Sequence, residues 1–187
     1  MLNFYNLGYN LIIIYKYMEK NINLVLESLK MLPAQITDVW QQAKKFDVPR
    51  NYKSINHVVV NGMGGSNLGA RILASVFSQE LKLPLTIWPG YEAPKFVNSK
   101  TLFILSSYSG NTEETVAAYQ HAKKMGARLL IISVADHHNK LAILATKDKT
   151  PILLFDPTAN PSEQPRLGLG YALFGLLAIL VRLGALK

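Results

Sequence analysis

Leu102-Phe103-Ile104-Leu105-Ser106-Ser107-Tyr108-Ser109-Gly110-Asn111-Thr112-Glu113-Glu114-Thr115 changes character halfway along. It opens as an apolar, β-favouring run, short enough for one buried strand. It then passes through hydroxyls, a glycine and an asparagine into a helix start. Thr112 offers an N-cap hydroxyl, and Glu113 and Glu114 place negative charge where the helix dipole favours it. A strand that delivers Ser107, Ser109 and Thr112 to a helix N-terminus builds an anion cradle, because hydroxyls and free backbone N–H groups converge there. An ordinary capped βα turn also uses Ser and Thr, but three hydroxyls around one turn exceed what a cap needs. The stretch predicts a bound phosphate.

Upstream, Val58-Val59-Val60 is a β-branched run that leads through Asn61-Gly62-Met63-Gly64-Gly65-Ser66-Asn67-Leu68-Gly69 into a helix expected over 70–77. A strand, a glycine-rich turn and a helix bring backbone close to a phosphate. The spacing argues against nucleotides. Gly62 and Gly64 begin a dinucleotide fingerprint whose sixth position is Asn67 rather than glycine, and the next strand, 85–88, lacks a terminal acid for a ribose. Gly64 and Gly69 have P-loop spacing, but Ala70-Arg71 stands where Lys-Ser/Thr is needed. Leu68 rules out a nucleophile elbow around Ser66.

Downstream the chain alternates. Strands are expected over 101–106, 128–134 and 152–155, and helices over 112–125 and 139–145, with Gly126 as a C-cap. Five βα-type alternations without a hairpin signal predict an α/β fold with an open five-stranded parallel sheet and helices on both faces. Ligands of such sheets sit beyond the strand C-termini, where both the glycine-rich and the serine-rich turns fall.

The chain has 187 residues with 49% hydrophobic content, enough for one domain with a real core. Cysteine is absent, which removes thiol chemistry and disulfides and fits a cytoplasmic protein. A net charge of +8 favours anionic partners. The basic residues are scattered without interleaved aromatics, so nucleic acid is not the expected one. Residues 1–17 lack the charge order of a signal peptide and read as an extension in front of Met18, with a genuine extra strand or helix as the alternative. Residues 21–46 show helical periodicity interrupted at Pro33, giving two helices and then a loop over 47–51.

The loop 156–166 carries three prolines and ends in Arg166, a fixed cation that could hold a phosphate or a developing oxyanion, or equally lie on the surface. His137 and His138 follow a strand end but lack further ligands for a metal, and no metal site is expected. His57 and His121 show no partners in sequence. Residues 167–187 are apolar nearly all round. Their glycines and Arg182 suit a helix buried in protein better than a membrane span. A helix apolar on every face needs more than one sheet to cover it, so a second surface is expected from a partner subunit or a further domain.

Gly62-Met63-Gly64-Gly65-Ser66, then Ser107-Tyr108-Ser109-Gly110-Asn111-Thr112-Glu113-Glu114, then Gln164-Pro165-Arg166 resemble the first half of the bifunctional phosphoglucose/phosphomannose isomerase family, which is built from sugar isomerase (SIS) domains. The resemblance runs from about Met18 to the C-terminus and implies an SIS-type, flavodoxin- or Rossmann-like sheet. It divides the chain into an extension (1–17), N-terminal helices (18–50), an SIS sugar-phosphate-binding domain (51–166) and an apolar helix (167–187) leading to a second SIS domain. It implies that Gly65, Ser66, Ser107, Ser109 and Thr112 bind the sugar phosphate and that Arg166 supports the enediolate. In the family the glutamate base, histidine and lysine lie in or after the second domain, so the resemblance assigns no proton-transfer residue here. The expected activity is aldose–ketose isomerisation between glucose or mannose 6-phosphate and fructose 6-phosphate, with this chain as the binding half and no cofactor. A homodimer or association with a second SIS domain is implied, and no membrane partner. A non-catalytic sugar-phosphate-binding or regulatory SIS module is the alternative, though the helices before Asn51 are too little for a helix-turn-helix domain with a linker.

Overall fold

The computed structural model describes residues 4–186, with side chains from Lys16 onward except Lys53. Two helices lead, α1 (Phe4–Lys30) and α2 (Leu32–Lys45). Alternation follows: β1 (His57–Asn61), α3 (Gly65–Val76), β2 (Leu85–Ile87), β3 (Thr101–Ser107), α4 (Glu113–Lys124), β4 (Arg128–Val134), α5 (Lys140–Asp148), β5 (Ile152–Phe155) and α6 (Leu169–Arg182). The five strands form one parallel sheet in the order β2-β1-β3-β4-β5.

All seven residues of β3 are buried at the centre of this sheet, which is why its sequence is a near-continuous apolar run. The two faces carry separate cores, set by the alternation of side chains along each strand. Val58, Val60, Leu102, Ile104, Leu130 and Ile132 point to the face covered by α2, α3 and α6. Val59, Phe103, Leu105 and Ile131 point to the face covered by α4 and α5, where Ala118, Tyr119, Ala122, Leu141 and Ala145 meet them.

The structure corrects the expectation for the last helix. Most of the apolar girth of α6 is buried within the chain itself, because α2 and α3 flank it over the sheet, and Val181 is left exposed. Tyr171, Leu176, Ile179 and Leu180 are at most 2% exposed. The contact is close. A Cβ on Gly69 of α3 would lie 2.8 Å from the Leu173 backbone N and 3.0 Å from its Cα, so any side chain there forces the helices apart. No helix among the described residues is long and apolar enough to cross a membrane.

Two helix boundaries also move. α3 starts at Gly65, five residues before the expected Ala70, because Gly64 at φ 53° turns the chain so sharply that Asn67 N–H already reaches Gly64 O. α5 runs to Asp148, past the expected end at Ala145, and stops where Lys149 turns left-handed. α4 closes as expected around Gly126, with Gly126 N–H on Lys123 O and Ala127 N–H on Ala122 O. Pro33 opens α2, a position where its missing N–H costs nothing. The backbone of α1 continues through Tyr17–Met18 without a break, and residues 1–3 of the expected extension lie outside the described residues.

Candidate functional site

β1 and β3 are adjacent and parallel, so the turns after them emerge side by side at one edge of the sheet. Ser66 fastens the two together. Its Oγ accepts the Tyr108 N–H at 3.1 Å, and its backbone carbonyl accepts the Ser106 hydroxyl at 3.2 Å. Ser66 is only 8% exposed, and with its oxygen accepting, its own O–H stays available to donate.

Thr112 does not cap α4 with its side chain, contrary to the sequence expectation. Its Oγ1 lies 2.9 Å from Ser107 Oγ, which also accepts the Gly110 N–H at 3.1 Å. The reason is geometric: Ser107, 1% exposed at the end of β3, sits under the turn and competes successfully for the hydroxyl. Two hydroxyls bonded to each other use one hydrogen and leave one, and Thr112 is the more exposed of the pair. Ser109 is exposed, and its Oγ accepts the Asn111 N–H at 3.2 Å, which leaves its hydrogen free. The first α4 amide with a helical acceptor is that of Val116, on Thr112 O at 3.0 Å, so the amides of residues 113–115 face out of the helix end.

The serine turn is braced from behind by α5. Asn139, fully buried, donates to Ser133 Oγ at 2.7 Å and Val134 O at 2.9 Å and caps α5 by accepting the Ala142 N–H. Leu141 N–H bonds Gly110 O, and Lys140 N–H bonds Asn111 Oδ1. Gly110 stands at φ 68° directly against the Asn139 amide.

Arg166 lies in a short 3₁₀ turn, Pro165–Leu167, that packs on the glycine-rich turn. A Cβ on Gly65 would come within 3.0 Å of Pro165 O and 3.1 Å of Arg166 Cα. Two clefts flank this contact. One of about 590 Å³ is lined by Gly64, Gly65, Asn67, Leu68, Arg71 and Arg166. The other, about 400 Å³, is lined among others by Tyr108, Ser109, Asp136, His137 and Glu163. Gly65, Ser66, Ser107 and Thr112 therefore form the tied base of the region, Ser109 faces the second cleft, and Arg166 faces the first. His57 bonds Thr86 and stacks on Phe96, and His121 accepts the Ala93 N–H, both away from these clefts.

Sequence reasoning missed the residues that hold the Arg166 loop. Gln35 of α2 is fully buried and donates to Ala159 O at 3.0 Å and Leu167 O at 2.8 Å, while its Oε1 accepts the Gly170 N–H at 3.1 Å. Asn160 donates to the Tyr108 hydroxyl at 2.8 Å and to Gln164 O at 3.0 Å. Burial pushes the Tyr108 phenol above its ordinary pKa, so it stays neutral and keeps its hydrogen. Arg71 and Asn67 line the first cleft, although the sequence shows them only as departures from nucleotide-binding patterns. Nothing in the local pattern of α3 singles them out from surface and core positions.

No family model matches the sequence. A bifunctional phosphoglucose/phosphomannose isomerase of Caldicellulosiruptor bescii is 40% identical over 164 residues, 87% of this chain and 46% of that protein. The chain spans just under half the length of three curated isomerases of that name. Among solved structures, a Clostridium difficile protein assigned as a phosphosugar isomerase superposes with a TM-score of 0.62 at 13% identity, over 84% of this chain and 46% of that one. The sugar isomerase domain of an RpiR transcription factor from Sphaerobacter thermophilus gives 0.51 at 17% identity, over 82% and 89%. At these identities the superpositions speak for the fold: an SIS-type α/β sheet.

Proposed function

Because this chain belongs to the bifunctional phosphoglucose/phosphomannose isomerase family, we propose that it binds a hexose 6-phosphate and forms the phosphate-holding half of an aldose–ketose isomerase. The observation that carries this reading is the Ser66 clasp, which joins the glycine-rich and serine-rich turns into one base in front of the α4 N-terminus. In the proposed complex the phosphate takes the outward amides of residues 113–115, the Ser109 hydroxyl and the free hydrogen of the Ser107–Thr112 pair. Charge-assisted bonds of this kind are the strong ones. Ser66 and the Gly65 backbone close the floor.

Isomerisation moves a proton between the first two sugar carbons through an enediolate. Arg166, exposed at the first cleft and anchored through its loop by Gln35 and Asn160, is the group proposed to offset the negative charge that develops there. The base and the ring-opening acid–base pair are assigned to residues outside this chain, in the portion of the relatives that it does not span.

Calorimetric titration with fructose 6-phosphate, followed by a coupled isomerase assay on the same sample, tests the proposal. Binding without turnover is expected. Ser109→Ala is expected to weaken binding by about 1–3 kcal/mol, the range for a bond lost to a charged group. An unchanged affinity removes Ser109 from the site. Turnover by the chain alone returns the proton-transfer role to residues such as His137 and Glu163.

A further inference from the structure

Asn67 and Arg71 stand four residues apart on α3, so they share one face of the helix, with Leu68 beside them. That face lines the first cleft, and Arg166 reaches the same space from its 3₁₀ turn. The cleft thus receives two guanidinium groups and, among the described residues, no carboxylate. Both arginines are exposed, and neither forms an ion pair among the described residues. Two cations that face one space repel each other unless an anion lies between them.

The amide of Asn67 is a second sign of a guest. Asn67 is only 6% exposed, and its Oδ1 is buried without a hydrogen-bond partner among the described residues. An unpaired polar atom in the interior costs stability that an apolar side chain would not. Nδ2 is the polar end left for the cleft, and it is a donor. The backbone of α3 adds little, because the amides of Ser66, Asn67 and Leu68 are taken by Met63 O and Gly64 O. Side chains therefore do the gripping here, unlike the α4 end, where backbone amides face out.

We propose that the first cleft is a second phosphoryl site, in which Arg71, Arg166 and Asn67 hold a phosphomonoester whose organic body lies on Leu68. Guanidinium forks match a phosphate dianion in both charge and geometry. At about 590 Å³ the cleft is far larger than a bare phosphate, and Leu68, 43% exposed, supplies an apolar wall for the rest of the ligand. The site shares Arg166 with the sugar-phosphate reading but not the position of the phosphate, which that reading places at α4.

Calorimetric titration of the chain with phenyl phosphate is expected to show two bound molecules per chain. Arg71→Leu should remove one, and Ser109→Ala should weaken the other. Inorganic phosphate should bind the Arg71 site about tenfold more weakly than phenyl phosphate, and Leu68→Asn should erase that difference. Asn67→Leu should weaken the same site about tenfold while raising the thermal unfolding midpoint of the free chain. Unchanged stoichiometry in an Arg71→Leu chain with an unaltered circular dichroism spectrum overturns the proposal, as does equal affinity of that site for the two phosphates. A single molecule per chain that Arg71→Leu abolishes and Ser109→Ala leaves alone would sink the α4 cradle and keep this site.

Discussion

Gly110→Ala is expected to lower the unfolding free energy by about 2–5 kcal/mol and to abolish fructose 6-phosphate binding at millimolar ligand. Two effects combine. At φ 68° a Cβ costs about 1–2 kcal/mol of backbone strain. The new methyl also collides with the Asn139 amide, and overpacking of a tight site costs about 1–3 kcal/mol. Asn139 cannot yield cheaply. It is fully buried and its amide is committed to Ser133, Val134 and the amide of Ala142. Relief must come from the serine turn itself, which would draw Ser109 and Thr112 away from the α4 N-terminus. Urea unfolding of Gly110→Ala, Asn139→Ala and the double variant checks the cause. In the Asn139→Ala background the glycine substitution should cost only its backbone strain, about 1–2 kcal/mol. Equal costs in both backgrounds would show that the collision is not what matters.

Gln35→Met should be nearly as damaging, although Gln35 lines neither cleft. Methionine keeps the length and apolar stem but leaves Ala159 O, Leu167 O and the Gly170 N–H buried without their partner. Each orphaned group costs about 1–3 kcal/mol, so a loss of upwards of about 3 kcal/mol is expected. Gln35→Glu should fare no better, since a carboxylate can still accept from Gly170 but cannot donate to the two carbonyls. Arg166 sits one residue before Leu167, so affinity for the sugar phosphate should fall with stability. A denaturation midpoint within error of the unmodified chain would sink this account.

These two residues also mark the limit of what could be read from sequence. β4 and β5 are legible to the residue because each is a short apolar run bounded by turn residues, Gly126 before β4 and Pro151 and Pro157 around β5. The serine turn was legible because strand, hydroxyls and acidic first turn are consecutive. The start of α3 was not, since Gly64-Gly65-Ser66 looks like loop by helix propensity, yet the helix begins at Gly65 because Gly64 at φ 53° turns the chain into it. The covering of α6 was misjudged for a different reason. An all-apolar helix shows that it has neighbours but does not name them, and here they lie far along the same chain. Gln35 carries no readable signal in the sequence: besides a long contact to Ser28 O, its partners lie 124, 132 and 135 residues away.

That separation bears on how the molecule is made. α2 leaves a ribosome well before the distant groups that Gln35 must satisfy, which follow it by 124 to 135 residues. Until residues 159–170 are synthesised, α2 carries an unpaired amide and an uncovered apolar side, and β5 lacks the cover of α6. Loop closure over such distances must precede its reward, which slows folding. A nascent chain consequently exposes sticky surface until those residues are in place. The domain closes on itself only once α6 has been made and slots between two helices that have been waiting for it.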